Sequence, residues 1–270
     1  HYPLRRQRQM CIRDSLNPRF RLYAQLGIFA VTIGVWPLLI PTDFGVPILD
    51  GLMRLPLIGW LLSVIFCVGF VNSINMADGA NGLIAGVITI AFSLFYANTG
   101  QFVYAAMMTA CAVFTIFNVI SGRLFLGDAG AYGLGSSIVI SSLYLFQENI
   151  FSAAFLACLF SYPCIDFMMT LARRLRAGRS IYLPDNDHLH NRIHYHFQRW
   201  LPSKTLANSM TGGLIVASSS GVTLLGYIFQ WWSVTSNLWI WLFSLQCVSY
   251  GVVFYLTRFG RANTQYVYRT

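Results

Sequence analysis

The chain has 270 residues, of which 56% are hydrophobic and only 10% are charged. With a mean hydropathy of +0.57 it is too apolar for an ordinary soluble domain, and the composition predicts an all-α polytopic membrane protein. The net charge of +9 does not indicate nucleic-acid binding, because the basic residues lie in short connections between apolar runs. The six cysteines are scattered without metal-ligand spacing, so neither a zinc site nor a disulfide framework is expected.

The N-terminal stretch, residues 1–15, is basic and lacks the apolar core of a signal peptide. It is either a cytoplasmic arm or a stretch that is not native to the protein, and a motif described below favours the second interpretation. A membrane helix needs about 20 mostly apolar residues. Eight such segments follow, with the fifth the shortest: 22–40, 56–71, 83–98, 101–120, 134–148, 150–170, 208–230 and 236–257.

The distribution of basic residues predicts the orientation, because Lys and Arg concentrate in the cytoplasmic connections of membrane proteins. With a cytoplasmic N-terminus, all but Arg54 of the 18 basic residues fall on that side. This asymmetry supports eight helices, because seven or nine helices would distribute the basic residues over both sides of the membrane. The sequence thus predicts a membrane domain over 16–257, a cytoplasmic tail over 258–270, and three cytoplasmic loops over 72–82, 121–133 and 171–207.

The first of these loops forms most of a polar cluster over 72–86, in which amides, one carboxylate and glycines interrupt an otherwise apolar sequence. An amide or carboxylate left dry and unpaired near a membrane costs several kcal/mol, so the cluster indicates a wet binding site. Asn75, Asp78 and Asn81 recur at three-residue spacing, which places side chains on one face of a helical turn. The alternative is a loop whose asparagines cap helix ends.

The second loop holds Asp128 between small residues in the run Leu126-Gly-Asp-Ala-Gly130. A carboxylate on a turn at the membrane edge is well placed to bind Mg²⁺, which takes oxygen ligands and keeps waters or substrate phosphates as the remainder. An aspartate that merely caps the following helix is the alternative.

The third loop contains two histidines, His188 and His190, together with Arg192. Such residues bind phosphate oxygens or a metal, or relay a proton, and charge-assisted bonds to a pyrophosphate suit them best. A zinc site is not expected, because no cysteine lies near. A basic connection held at anionic lipid would account for Arg173 to Arg179 but not for the clustered histidines. Together the three loops predict phosphoryl transfer at the membrane surface, with a nucleotide-linked donor and a lipid phosphate acceptor.

The motifs NxxNxxDGxxGLxxG, GDAG and PDxxHLH, in this order over about 16–205, resemble the polyprenyl-phosphate N-acetylhexosamine-1-phosphate transferases. This family includes bacterial enzymes that start O-antigen, enterobacterial common antigen and exopolysaccharide synthesis, the peptidoglycan translocase, and the eukaryotic enzyme that begins the dolichol pathway. The resemblance implies a role for each predicted residue of the site. Catalytic roles fall to Asp78, Asp128, His188 and His190, substrate binding to Asn72, Asn75, Asn81 and Arg192, and metal binding to Asp128 and Asn75.

Some positions depart from the family pattern. Asn81 stands near the expected uracil, where many bacterial members carry aspartate, and Asn191 replaces a common third histidine. Asp166 matches an acidic residue before a basic loop and is assigned a structural role. Relatives also carry an adjacent Asp-Asp pair where this chain has Cys11 and Ile12. We therefore expect that the native N-terminal part is missing and that turnover is weak or absent without it.

The resemblance implies transfer of an N-acetylhexosamine-1-phosphate from a UDP-sugar to undecaprenyl phosphate, with release of UMP and a requirement for Mg²⁺ or Mn²⁺. UDP-N-acetylglucosamine or a deoxy derivative is the favoured donor, and both direct and covalent mechanisms are open. The expected place is the bacterial inner membrane, with the active face and C-terminus cytoplasmic, and a homodimer is compatible with the sequence. Two alternatives are an inactive relative that binds UDP-sugar or polyprenyl lipid, and a transporter with a polar midplane site.

Overall fold

The computed structural model describes residues 17–178 and 187–257, and within these ranges all regular secondary structure is helical, as predicted, with no strand. A short 3₁₀ helix, Pro37–Leu39, and a π-helical turn, Ala217–Gly221, supplement the α-helices. In chain order the α-helices are α1 Pro18–Val35, α2 Pro47–Met53, α3 Pro56–Ala77, α4 Leu83–Thr99, α5 Phe102–Ser121, α6 Gly127–Gln147, α7 Ala153–Leu159, α8 Ser161–Arg176, α9 Leu189–Trp200, α10 Lys204–Val216, α11 Val222–Ile228 and α12 Trp239–Leu256.

Five described helices are long and apolar enough to cross a membrane, namely α3, α5, α6, α12 and the continuous run Lys204–Ile228. The pair α7 and α8 adds a sixth if the two count as one bent span. Helix α4 is apolar but has only 17 residues, and α1 begins with arginines in its first turn. The predicted multi-pass membrane architecture is confirmed, whereas the predicted count of eight spans is not.

The centre of the bundle is α4, which packs against α5, α10 and α6. Leu83, Ile84, Val87 and Ile88 on this helix have no exposed surface. A helix that is apolar on all sides has to be enclosed by other helices. Because α4 begins directly after the polar turn 78–82, that turn is attached to the most deeply buried element of the fold.

The loop predicted over 72–82 is too long. Helix α3 continues to Ala77, so Asn72 and Asn75 are helical residues and only residues 78–82 form a turn. The helix continues through its polar end because its amides find partners there: the Asn72 side chain donates to the Val68 carbonyl one turn earlier, at 2.7 Å. Gly82 ends the turn with a positive φ of 73°, a conformation that favours glycine.

The other two predicted loops also contain helix. Helix α6 begins at Gly127, so Asp128 lies in its first turn. Within the described part of 171–207, α8 runs on to Arg176, and α9 spans Leu189–Trp200. Helix α9 is short and largely polar, with a buried face formed by Leu189, His190 and Ile193, so a search for long apolar runs cannot find it.

The segment predicted as one helix over 150–170 is broken at Phe160, where α7 and α8 meet at 82°. The carbonyls that the break leaves without helical partners are bonded by other elements. Ser220 in the π-helical turn donates to the Leu159 carbonyl at 2.7 Å, and Gln246 of α12 donates to the Cys158 carbonyl at 3.4 Å. Such external bonds are what stabilise an interrupted helix inside a membrane bundle.

Candidate active site

The carboxylate of Asp128 pairs with Arg21 in the first turn of α1, with 2.6 Å between Arg21 Nη1 and Asp128 Oδ2. The side chains are 38% and 23% exposed, so the pair is accessible to solvent and ligands. Asp128 also sits at the N-terminus of α6, where the helix dipole favours negative charge. The site thus presents a carboxylate that is preorganised for a cation and already has an arginine beside it.

Asn75 and Asn72 face this ion pair from the last turns of α3. Asn75 Nδ2 lies 3.3 Å from the hydroxyl of Tyr132, one turn beyond Asp128 on α6, and that hydroxyl also contacts Arg21. Asn72 donates to the Gln25 side chain of α1 at 2.6 Å. The three helices α1, α3 and α6 therefore connect five polar side chains to Asp128 through one network of contacts. We call Arg21, Gln25, Asn72, Asn75, Asp128 and Tyr132 the carboxylate cluster.

The carboxylate cluster is a chemically reasonable magnesium site. Among the described residues there is no group of three or more His, Cys, Asp or Glu side chains that could hold a metal. Mg²⁺ does not require one, because it is usually held by one or two carboxylates while waters and substrate phosphates complete its shell. The Asp128 carboxylate and the Asn75 amide oxygen are the hard oxygen donors that this ion takes.

A pocket lies beside the 78–82 turn, at the same end of the bundle. It is lined by the turn itself, by the loop before α6 and by α10: Asp78, Gly79, Ala80, Asn81, Asn118, Phe125, Leu126 and Asn208. The lining combines one carboxylate, three amides and the Phe125 ring. Amide groups and an aromatic face are suited to a heterocyclic base, because they offer hydrogen bonds at its edge and stacking on its plane.

Asn118 holds this pocket together. Its Oδ1 accepts a hydrogen bond from the Gly82 backbone N–H, and its Nδ2 donates to the Leu124 carbonyl, each at 2.5 Å. One buried side chain on α5 therefore joins the 78–82 turn to the loop that leads into α6. The sequence analysis did not identify this residue, although a lone amide near the end of an apolar helix was a usable signal.

Asn81 lies in the pocket wall and is only 4% exposed. Its amide nitrogen lies 3.2 Å from the Ser209 hydroxyl, and its amide oxygen accepts from Asn208 at 3.1 Å. Ser209 donates to the Val119 carbonyl at 2.7 Å, so its oxygen accepts from Asn81. These bonds fix which end of the amide faces each partner and tie the turn to α10.

His190 lies directly against the turn. A Cβ atom built on Gly79 would lie 2.1 Å from His190 Nε2, so the close approach of ring and backbone depends on glycine. The Tyr162 hydroxyl accepts from the His190 backbone N–H at 3.1 Å and lies 2.9 Å from Nδ1. One hydroxyl thus contacts both the backbone and the ring of His190, and the Nε2 edge of the ring faces Gly79.

The protonation state of His190 follows from its surroundings. Burial lowers the pKa of His190 from 6.5 to about 4, the strongest opposing influence being the charge of Asp166. The ring is 3% exposed and lies nearly parallel to the His188 ring, with centroids 5.3 Å apart. At neutral pH His190 is therefore neutral, with its Nε2 edge against the turn after Asp78.

His188 is oriented by Asp166 of α8. The distance from His188 Nδ1 to Asp166 Oδ2 is 2.5 Å, and the other carboxylate oxygen accepts from the Tyr250 hydroxyl at 2.7 Å and the Leu189 N–H at 3.1 Å. Because a carboxylate only accepts, Nδ1 carries the proton and Nε2 is the basic nitrogen. Asp166 is thereby a positioning group for a histidine, which agrees with its predicted structural role.

Arg192 makes its contacts within the protein. Its guanidinium forms two bonds to the Asp187 carboxylate, at 2.7 and 3.0 Å, and a third to the Phe254 carbonyl. Arg173 of α8 donates to the Asp187 carbonyl at 2.7 Å. Arg192, the predicted phosphate-binding arginine, thus holds the histidine segment, residues 187–192, against α12, and Arg173 holds it against α8.

The sequence comparisons identify the family. The model of glycosyl transferase family 4 matches residues 13–146, about half of the chain. The chain belongs to this family. No solved structure matches it.

Relatives of this family 4 chain include three named transferases. A probable undecaprenyl-phosphate N-acetylglucosaminyl 1-phosphate transferase from Bacillus subtilis is 29% identical over 66% of this chain and 53% of its own length. A phospho-N-acetylmuramoyl-pentapeptide-transferase from Lactiplantibacillus plantarum is 29% identical over 61% and 52%. A decaprenyl-phosphate N-acetylglucosaminephosphotransferase from Mycobacterium tuberculosis is 29% identical over 49% and 40%. The chain spans about half the length of the curated relatives it matches.

The structure gathers the predicted family 4 residues in two places. Asp128, Asn75 and Asn72 meet in the carboxylate cluster, while His190 meets the turn that follows Asp78. Several residues that organise these places were missed, because tyrosines and a phenylalanine inside apolar helices resemble packing residues in sequence: Tyr132, Tyr162, Tyr250 and Phe254. Cys11 and Ile12 lie outside the described residues, as does the rest of the 1–15 stretch.

Proposed function

We propose that this protein transfers an N-acetylhexosamine-1-phosphate from a UDP-sugar to undecaprenyl phosphate and releases UMP. The observation that carries the proposal is the contact between His190 and Gly79, which joins two of the three motifs at one end of the bundle. The ion pair of Arg21 with Asp128 adds the third motif at that end through the neighbouring carboxylate cluster. Relatives whose names state sugar-phosphate transfer to polyprenyl phosphates support the same reaction class.

The simplest mechanism is a direct displacement. An oxygen of the lipid phosphate attacks the β-phosphorus of the UDP-sugar, a new P–O bond forms, and the bond from that phosphorus to the bridging oxygen breaks, so that UMP leaves with this oxygen. Phosphoryl transfer of this kind depends mainly on positioning and on neutralising charge. A covalent route through a carboxylate remains the alternative mechanism.

The histidine pair and Asp78 line the path of the reacting phosphates in this proposal. In this proposal the neutral His190 ring carries its proton on Nε2, beside the 78–82 turn, and would donate it to a pyrophosphate oxygen. His188 presents Nε2 with its other nitrogen fixed by Asp166, and it steadies the same group or holds a proton. Asp78 orients the phosphates or the metal from the pocket wall.

Mg²⁺ is the metal we propose, with Mn²⁺ as a substitute, and Asp128 and Asn75 would hold it. When bound, the ion would neutralise the phosphate charge that develops on the leaving UMP. Arg21 already contacts Asp128 and would supply a second positive charge to the phosphates. The adjoining pocket, with Phe125, Asn118 and Asn208, is the place we propose for the uracil.

The substrate and cellular setting are part of the proposal. We favour UDP-N-acetylglucosamine or a deoxy derivative as donor and the first step of a bacterial surface polysaccharide as the role. The basic ends of α1 and α8 lie with the site, and basic residues face the cytoplasm in membrane proteins, so the active face would be cytoplasmic in the inner membrane. Undecaprenyl phosphate would then enter from the surrounding lipid.

The test measures UMP release by the full-length protein in membranes that contain undecaprenyl phosphate, Mg²⁺ and one of several UDP-N-acetylhexosamines. We expect Mg²⁺-dependent release with one of them. Asp128→Asn should lower the rate at least about 100-fold, because the variant loses the carboxylate charge at the metal. Asp43→Asn, an exposed aspartate far along the chain from all three motifs, is the matched control and should retain the rate.

The outcomes separate the parts of the proposal. If the Asp128→Asn variant still releases UMP at the parent's rate and still depends on Mg²⁺, the assignment of Asp128 as a metal ligand is wrong. No release with any donor, while the protein still binds a UDP-sugar, would replace the transferase by a binding protein. Neither release nor binding would remove the UDP-sugar proposal altogether.

A further inference from the structure

The last described helix, α12, contacts Asp166 of α8 through Tyr250 and Arg192 of the histidine segment through Phe254, although it lies outside the region that the family model matches. We propose that Tyr250 and Phe254 of α12 are positioning residues that fix His188 and Arg192 for the reaction. This inference rests on the proposed function, since it assigns these side chains to the same site. Neither residue contacts the candidate phosphate site, so each acts through another side chain.

Tyr250 acts through Asp166. Its hydroxyl donates to Asp166 Oδ1 at 2.7 Å, while His188 Nδ1 occupies Oδ2 at 2.5 Å. The carboxylate is 1% exposed, so protein groups rather than water must satisfy its two oxygens. With both oxygens engaged, the carboxylate has one orientation, and the His188 ring is held with Nε2 as its basic nitrogen.

Phe254 acts on Arg192 in two ways. The guanidinium carbon of Arg192 lies 3.5 Å from the centroid of the Phe254 ring, and an Arg192 nitrogen donates to the Phe254 backbone carbonyl. The guanidinium of Arg173 lies 5.0 Å from the same centroid. One aromatic ring therefore contacts the two arginines that hold Asp187, the residue that precedes His188, and cation–π attraction is strongest where water is excluded.

The two contacts act as a unit. Tyr250 and Phe254 are one helical turn apart, and their rings stack with centroids 5.8 Å apart. Tyr250 lies 6.3 Å from Tyr162, the partner of His190, measured between ring centroids. A single face of α12 thus supports both histidines and the arginine that ends the segment. The sequence gives no sign of this, because both residues occur in an apolar run.

The experiment compares Tyr250→Phe and Phe254→Leu with two control variants in the full-length protein. Tyr250→Phe removes one hydroxyl, and its control Tyr227→Phe removes a hydroxyl from α11. Phe254→Leu removes the aromatic face, and its control Phe229→Leu changes an exposed ring at the end of α11. Each variant is measured for kcat and donor KM of UMP release, per folded protein, and for hydrogen exchange of residues 187–200.

We expect Tyr250→Phe to lower kcat about 10- to 100-fold while the donor KM changes less than about twofold, because a misplaced group costs mainly the chemical step. Phe254→Leu should give a smaller loss of kcat. Hydrogen exchange across 187–200 should accelerate about tenfold in both variants, with the other helices unchanged. Both controls should match the parent protein.

The proposal would be overturned if Tyr250→Phe and Phe254→Leu both keep the kcat and the hydrogen-exchange rates of the parent protein. A loss of activity explained entirely by less folded protein, with kcat per folded site unchanged, would overturn it as well. If the parent protein releases no UMP but both variants still accelerate exchange in 187–200, the proposed reaction fails and the positioning of the segment by α12 stands.

Discussion

The carboxylate cluster and the histidine segment lie at the same end of the bundle but are built differently. Asp128 and Arg21 are partly exposed and meet in one ion pair between helix ends. His188 and His190 are buried, and each has a ring nitrogen engaged by a partner from α8. The carboxylate cluster is exposed, so a bound cation can replace Arg21 beside Asp128 there. The histidine segment is buried and keeps its geometry. A site for charged substrates needs both, because binding requires access and catalysis requires fixed groups.

The largest effect should come from Gly79→Ala, which tests the rigidity of the histidine segment. The added methyl would lie 2.1 Å from His190 Nε2, and the buried ring, bonded to Tyr162, cannot move aside without losing that bond. We expect transferase activity to fall at least about 100-fold and the free energy of unfolding to fall by about 1–3 kcal/mol. UMP release and thermal unfolding measure the two effects.

A matched control for this change is Gly133→Ala in α6, where an added Cβ meets nothing within 4 Å. Alanine also has the better helix propensity, so this variant should be as stable as the parent or slightly more stable. Full activity of Gly79→Ala would mean that the His190 ring moves freely, contrary to the rigidity argued here.

An intermediate effect is expected from Arg21→Gln, which tests the exchange of cations at the carboxylate cluster. The substitution removes the described cation that pairs with Asp128 and would compete with Mg²⁺ for its carboxylate. The Mg²⁺ concentration for half-maximal UMP release should fall several-fold, while the free energy of unfolding changes by less than about 1 kcal/mol, as for other exposed pairs. Manganese binding, followed by electron paramagnetic resonance, gives a reading that does not depend on turnover.

Arg123→Gln is the control for the loss of one positive charge, because Arg123 is exposed in the loop before α6. It should leave the Mg²⁺ dependence unchanged. A Mg²⁺ requirement that is the same in Arg21→Gln and in the parent would show that the arginine and the metal do not share the Asp128 carboxylate.

The smallest effect concerns the pH dependence of stability. The folded protein keeps His190 neutral down to its lowered pKa of about 4, whereas the unfolded chain protonates this residue near its ordinary value of 6.5. Between these values the unfolded state binds more protons, so the free energy of unfolding falls as the pH falls. Replacing His190 by Gln should therefore reduce the loss of Tm between pH 7 and about pH 5 by a few degrees.

Thermal unfolding in detergent at several pH values measures the parent and His190→Gln. An equal decline of Tm in the parent and in His190→Gln would mean that His190 is not kept neutral by burial.

The class of the protein can be predicted from the sequence alone. Long apolar runs separated by basic connections indicate a helical membrane bundle, because both signals are local and reflect the lipid and water around the chain. The three motifs are local too, so Asp78, Asp128, His188 and His190 can be predicted as site residues without knowledge of the tertiary contacts. Helix ends were less well predicted, since Asn72 and Asn75 find partners that let α3 continue to Ala77.

The residues that hold these groups in place become visible only when the helices are packed together. Arg21 meets Asp128 across 107 residues of chain, and Tyr250 meets Asp166 across 84. In sequence, a tyrosine within an apolar run looks the same whether it faces lipid or donates to a buried carboxylate. The difference depends on which helices pack together, and the break at Phe160 that aims α8 at the site is itself stabilised by distant hydrogen bonds from Ser220 and Gln246.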